Sequence, residues 1–218
     1  KYIYDLDLNT PLIACNGALI MDIRNEQILH MKLIKPDIAL KVVSYCRQNQ
    51  LDFLVYVPKA IYYSENSKRV NVIIKYNNSV EEKLRAPLYS AESLDVLNED
   101  IIKILIRTDD DNLIKKLNED VNKDGSLTIV QSEENLFDIM ASGVSKGAGL
   151  SILAKHFGID LERTVVFGDN YNDISMFELA GMSIAMGNAE EELKRIADYI
   201  TLSNDESGVS RAIYKYIL

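Results

Sequence analysis

Only two cysteines, Cys15 and Cys46, occur in the 218 residues. They form neither a disulfide framework nor a metal-ligand spacing, so buried, reduced thiols in a cytosolic protein are expected. No apolar run approaches the roughly 18 residues needed to cross a bilayer, and the first residues lack the layout of a secretory leader. A soluble, cytoplasmic protein is the expectation. Internal repeats and low-complexity tracts are missing, and four prolines are the only ones that punctuate the chain. Neither a glycine-rich phosphate loop nor a GxxxxGK[ST] string occurs, which weakens a nucleotide-binding or receiver-like reading. Positive charge is in deficit: 24 basic against 33 acidic residues give a net charge of -9. That balance disfavours nucleic acid and anionic membrane as partners and directs attention to a small molecule.

What is present is ample material for a core, with 47% hydrophobic residues, and an ordered alternation of elements. "PLIACNGALIMD" (11 to 22) reads as a strand, a sharp Asn-Gly turn and a second strand, with "ILHMKLI" (28 to 34) pairing to it. "KPDIALKVVSYCRQNQ" places Pro36 at a helix start and Ile38, Val42, Val43 and Cys46 on one face. "LDFLVYVP", "VNVIIKY", "IIKILIR", "SLTIVQSE" and "LFDIMA" are expected as strands from their apolar and β-branched content, with a helix at about 110 to 121, a mixture that suits an α+β layer. From 143 the order becomes strictly alternating. "SKGAGLSILAKHFG" reads as a helix capped by Ser145, ended by Gly158 and packed through Leu150, Leu153, Ala154 and Phe157. "TVVFGD", "MSIAMG" and "DYIT" read as short buried strands between helices, which argues a parallel α/β sheet.

Ligands of open parallel sheets bind at the carboxyl ends of the strands. "TVVFGDNYND" puts Asp169 at such an end, and Asn172 and Asp173 at the start of the next helix. Asp169 and Asp173 together suit a hard cation such as Mg²⁺, which takes one or two carboxylates plus waters and a phosphate. The plainer reading makes Asp169 a loop carboxylate and Asn172 or Asp173 a helix cap. Lys146 lies in the first turn of its helix, where a cation opposes the dipole; binding phosphate together with free backbone N–H groups would explain it. Asn16 and Gly17 read as a turn that could also touch substrate. Asn188 with Glu191 reads as a capping box, "SNDESG" (203 to 208) as a polar loop capping the last helix, and Asp109 to Asp111 as a solvated helix start.

Together, "PLIACNGALI", "FDIMASGVSKGAGL", "VVFGDNYNDISMF", "AMGNAEEELKRIADYIT" and "SNDESGVSRAI" resemble the Cof-type branch of the haloacid dehalogenase-like phosphatase superfamily. The resemblance implies a Rossmann-like α/β core with an inserted α+β cap of the C2 type. Residues 1–34 and 140–218 would form the core and 35–139 the cap. It further implies Mg²⁺-dependent hydrolysis of small phosphate monoesters, commonly sugar phosphates, through an aspartyl-phosphate. By this likeness Lys146 is the lysine that holds phosphate and nucleophile charge together, Asp169 is a metal ligand, Asp173 a supporting carboxylate of the metal site, and Asn172 a substrate contact.

The family's nucleophile string, Asp-x-Asp-Gly-Thr, is missing. "YDLDLNTPL" imitates it, but Leu8-Asn9-Thr10 follows Asp7 and no helix separates the string from the next strand, as a βαβ crossover requires. Asp5 and Asp7 are therefore expected at a helix end and loop. A longer native protein, with on the order of 65 further residues and the two central strands of the core sheet, is expected from the size of two βα units. The chain as given is expected to be inactive. The alternative from another class is a non-catalytic protein that binds phosphorylated metabolites.

Overall fold

The computed structural model describes residues 10–92 and 99–218; Asp5 and Asp7 lie outside them. The chain divides into two compact units, Lys1–Gly143 and Val144–Leu218.

In the first unit β1 (Leu12–Ala14) and β2 (Leu19–Asp22) pair antiparallel, with Ala14 opposite Leu19. The connecting Cys15–Gly17 turn holds φ of 49°, 53° and 96° at its three residues. That left-handed path is accessible to Asn and Gly and explains their presence. β3 (Gln27–Met31) pairs antiparallel with β2, as its alternation predicts.

A second sheet contains, in spatial order, β6 (Leu88–Ser90), β5 (Ala60–Tyr63), β4 (Asp52–Val57), β7 (Lys103–Arg107), β9 (Leu136–Ala141) and β8 (Leu127–Glu133). Because side chains alternate along a strand, Phe53, Val55, Ile104, Ile106 and Ile139 share one face. There they pack against Ile38, Val42, Val43 and Cys46 of α1 (Pro36–Gln48) and Leu117 of α3 (Asp111–Val121). Asp110 caps α3 by accepting from the Asn112 amide. Leu54, Leu105 and Leu136 form a smaller cluster with Val70 on the other face.

Val70 begins a helix, α2 (Val70–Asn78), which corrects the strand expected for "VNVIIKY". β-Branched content favours strands where a half-buried pleated surface exists, and here Val72 and Ile74 are exposed. The helix start is instead fixed from outside. Asp52 accepts from the Lys68 and Arg69 amides at 2.9 and 3.1 Å, and Ser67 Oγ accepts from the Val70 amide at 3.1 Å. These bonds satisfy donors that a helix leaves open at its first turn.

In the second unit β10 (Val165–Gly168), β11 (Met182–Ala185) and β12 (Tyr199–Ile200) run parallel in that order. Around them are α4 (Lys146–Phe157), α5 (Ile174–Phe177), α6 (Glu191–Ile196) and α7 (Gly208–Tyr216). Val166, Phe177, Ala185, Met186 and Leu193 make the core between the layers. Ser145 caps α4 by accepting from the Ala148 amide at 3.0 Å, and Gly158 closes it at φ 64°, both as expected.

The packed face of α4 differs from the expected one. Leu150 reaches the core and Ala154 is buried as expected, but Phe157 is half exposed, whereas Gly147 and Gly149 are buried. A Cβ on Gly147 would lie 2.1 Å from the Ser175 carbonyl oxygen. The helix thus makes its closest contact through small residues at its first turn, which a search for large apolar residues overlooks.

Asn188 also departs from expectation. α6 starts after Glu190, without a side-chain cap, and Asn188 Oδ1 accepts from the Asn204 amide at 3.0 Å. Asn188 therefore joins the loops after β11 and β12. In "SNDESG" a capping box does form, between Ser203 and Glu206, immediately before α7.

Candidate functional site

β10 ends at Gly168 because its neighbours leave no room for a side chain: a Cβ there would sit 2.6 Å from Asp173 Cβ and 2.8 Å from Phe177 Cε1. The chain then exposes Asp169 beyond the carboxyl end of the strand. It turns at once through a short 3-10 segment, Tyr171–Asp173, capped by Asn170. Asp173 closes the reciprocal half of that capping box: its Oδ2 accepts from the Asp169 amide at 2.9 Å and the Asn170 amide at 3.1 Å. Its Oδ1 accepts from Lys146 Nζ at 2.5 Å. Asn172 lies in the same turn, half-buried.

Lys146 and Asp173 differ in their environments. The lysine side chain is 32% exposed and the aspartate side chain 3%, so a buried carboxylate holds an ammonium that still reaches solvent. This pairing resolves the electrostatic oddity of a lysine in a first helical turn, since Asp173 supplies the compensating negative charge. The amides of that turn are not free as the sequence suggests. The Gly147 N–H donates to Ser175 Oγ at 3.0 Å, and that of Ala148 to Ser145. The partly exposed ammonium, rather than a helix-terminal cradle, is the feature of this turn that could meet an anion.

Among the described residues no group of three or more His, Cys, Asp and Glu side chains converges as a metal cage. Mg²⁺ does not demand one, because it keeps waters and takes one or two carboxylates plus phosphate oxygens. Asp169, exposed at the strand end, fits as a hard oxygen donor. Both oxygens of Asp173 are engaged with Lys146 and the two amides, which suits it to hold the lysine and the Asp169 loop.

Asn16 and Gly17 lie in the first unit. Asn16 Nδ2 donates to Asp138 Oδ2 at 2.8 Å. Asp138, 3% exposed, also forms an ion pair with Lys103, Nζ to Oδ1 at 2.8 Å, and that ammonium sits 4.6 Å from the Tyr56 ring centroid. Burial pulls the Lys103 pKa down, but Asp138 foremost, then Tyr56 and Cys15, outweigh it and hold the group above its ordinary value. Burial raises the Cys15 thiol, keeping it a protonated, unreactive group. Sequence reasoning missed Lys103 and Asp138. Their signal is a charge flanked by apolar residues on both sides in each strand string, Lys103 in "IIKILIR" and Asp138 in "LFDIMA", where an unpaired charge would be prohibitive. Asn170 and Ser175, also missed, carry weaker signals.

An exposed acidic side chain at a parallel strand end thus lies next in sequence to a turn that holds a buried aspartate–lysine pair. The chain is a member of the haloacid dehalogenase-like hydrolases, whose family model matches residues 1–213. Phosphatase YwpJ of Bacillus subtilis is 30% identical over 98% of this chain and 81% of its own length. Pyridoxal phosphate phosphatase YbhA of Escherichia coli is 28% identical over 98% and 79%. Among solved structures, the HAD subclass IIB sugar phosphatase BT4131 superposes with a TM-score of 0.83 at 26% identity, covering 99% of this chain and 78% of that one. A haloacid dehalogenase-like hydrolase of B. subtilis also gives 0.83, at 29% identity, with coverage of 99% and 82%. The mixed α/β architecture is the Rossmann-like fold of this family, and by family the protein is a phosphatase of the Cof type.

Proposed function

We propose that the protein hydrolyses small phosphate monoesters, such as sugar phosphates, with Mg²⁺ and through an aspartyl-phosphate. The observation that carries this reading is the 2.5 Å contact between Lys146 and buried Asp173, adjoining the exposed Asp169 at the end of a parallel strand. Phosphoryl transfer asks a protein chiefly for positioning and charge neutralisation. Lys146 neutralises the phosphate oxygens. Asp173 fixes the ammonium at one point and, through its other oxygen, the main chain at Asp169. Asp169 offers its carboxylate to the metal, which when bound adds positive charge at the phosphate. Asn172, in the turn between them, is the proposed substrate contact.

The test is equilibrium binding of inorganic phosphate in the presence of Mg²⁺. Loss of a charge-assisted contact worth about 1.5–3 kcal/mol weakens binding roughly 10- to 100-fold in Lys146→Ala. Asp169→Ala is expected to abolish the Mg²⁺ dependence. Phosphate binding that ignores both substitutions refutes the assignment. The absence of an Asp-x-Asp-Gly-Thr string from the 218 residues favours a second reading, a protein that binds phosphorylated metabolites without turning them over. Both readings share this binding step, and turnover separates them.

A further inference from the structure

The first unit contains a cleft of about 570 Å³, within the usual range for a small-molecule site, and the phosphate chemistry does not draw on it. Its walls come from both sheets of that unit. Ile28 and Met31 of β3 face Val57 and the 58–60 turn of the β4–β5 hairpin, and Tyr62 and Tyr89 form an aromatic wall. The parallel register of β5 and β6 sets Tyr62 directly beside Tyr89, with ring centroids 5.5 Å apart and planes tilted by 38°. Tyr89 is 53% exposed although it lies on an edge strand with no need of a large ring.

The rim is charged in both senses. Lys59 lies on the hairpin turn, Glu99 and Asp100 lie at the same cleft, and the Tyr62 hydroxyl donates to Glu99 Oε1 at 3.5 Å. This mixture selects among ligand classes. A phosphate or carboxylate would meet two carboxylates, and an ammonium would meet Lys59. A hydroxyl group both donates and accepts, so it satisfies the carboxylates and the ammonium alike. The apolar C–H face of a sugar ring matches an aromatic wall, which offers area at little entropic cost.

We propose that this cleft binds an uncharged polyhydroxylated ring, with Tyr89 as the platform, Glu99 and Asp100 as hydroxyl acceptors and Lys59 as a donor. The inference goes beyond the phosphatase reading and does not depend on it.

Saturation-transfer NMR on the full chain with methyl glucoside, methyl galactoside and methyl mannoside at about 10 mM tests it. Transfer to the ring C–H protons of at least one glycoside is expected. It should fall at least tenfold in Tyr89→Ala and several-fold in Glu99→Gln, and persist in Tyr89→Phe, which keeps the platform. An unchanged amide spectrum elsewhere in Tyr89→Ala establishes that its loss is local. Silence from all three glycosides, or transfer indifferent to Tyr89→Ala, overturns the proposal. Displacement of the glycoside by tetramethylammonium or by inorganic phosphate also overturns it, in favour of a cation or anion site.

Discussion

Asp173 accepts from Lys146 through one oxygen and from the Asp169 and Asn170 amides through the other, so one carboxylate holds two segments together. It was legible in the sequence as an acidic residue four places after Asp169, but its division of labour was not, because that depends on where the Lys146 helix lies in space. Lys103 and Asp138 form the other buried pair, 2.8 Å apart. Breaking such a pair from one side leaves an uncompensated charge, so Lys103→Met is expected to lower stability by about 3–5 kcal/mol in urea denaturation. Replacing both members, as Lys103→Met with Asp138→Leu, should recover most of that loss, with the Asn16 contact still missing. The pair also sets an alkaline limb. The folded-state pKa of Lys103 lies above its ordinary value, so its contribution is complete below about pH 10.4, the unfolded value, and is lost as pH rises through the higher folded value. Stability measured from pH 9 upward should fall more steeply in wild type than in the double variant.

Among the elements, helices with apolar residues at regular spacing were legible, and α1 packs on the face its sequence marks. α2 was not, because Val70, Val72, Ile73 and Ile74 read as strand while the start of the helix is fixed by Asp52 and Ser67, the former 16 residues before Lys68. α4 was legible in extent but not in its packed face. Gly147→Ala inserts a methyl group where 2.1 Å is available, against main chain that cannot swing away. A cost of about 1–3 kcal/mol or more is expected, read as a lower denaturation midpoint. In the parallel sheet of the second unit Asp198, at the entry to β12, accepts from both the amide and the hydroxyl of Ser183 on β11, at 2.7 and 2.9 Å. These bonds, the backbone one foremost, hold its pKa below the ordinary carboxylate value. Its contribution is complete above about pH 4, the unfolded value, and is lost as pH falls through the lower folded value. Asp198→Asn should therefore flatten the acid limb of stability between about pH 2 and 4, with little effect on its alkaline limb.

For the whole molecule, the net charge of -9 disfavours nucleic acid and anionic membrane as partners, and among the described residues no helix is long and apolar enough to cross a membrane. The 218-residue chain is expected to show no turnover of p-nitrophenyl phosphate with Mg²⁺. Turnover that disappears in Lys146→Ala and Asp169→Ala would instead place a nucleophile within it. The sequence by itself determined the family, the order of most elements, and the residue types of the site, because turn chemistry, apolar periodicity and short motifs are local and survive without coordinates. Only the tertiary structure decided that Lys146 is held by Asp173, that Asp138 ties Asn16 to the six-stranded sheet, and that the close face of α4 is glycine. Each of those facts joins residues from 27 to 122 positions apart, and a contact at that separation depends on how the elements between them pack.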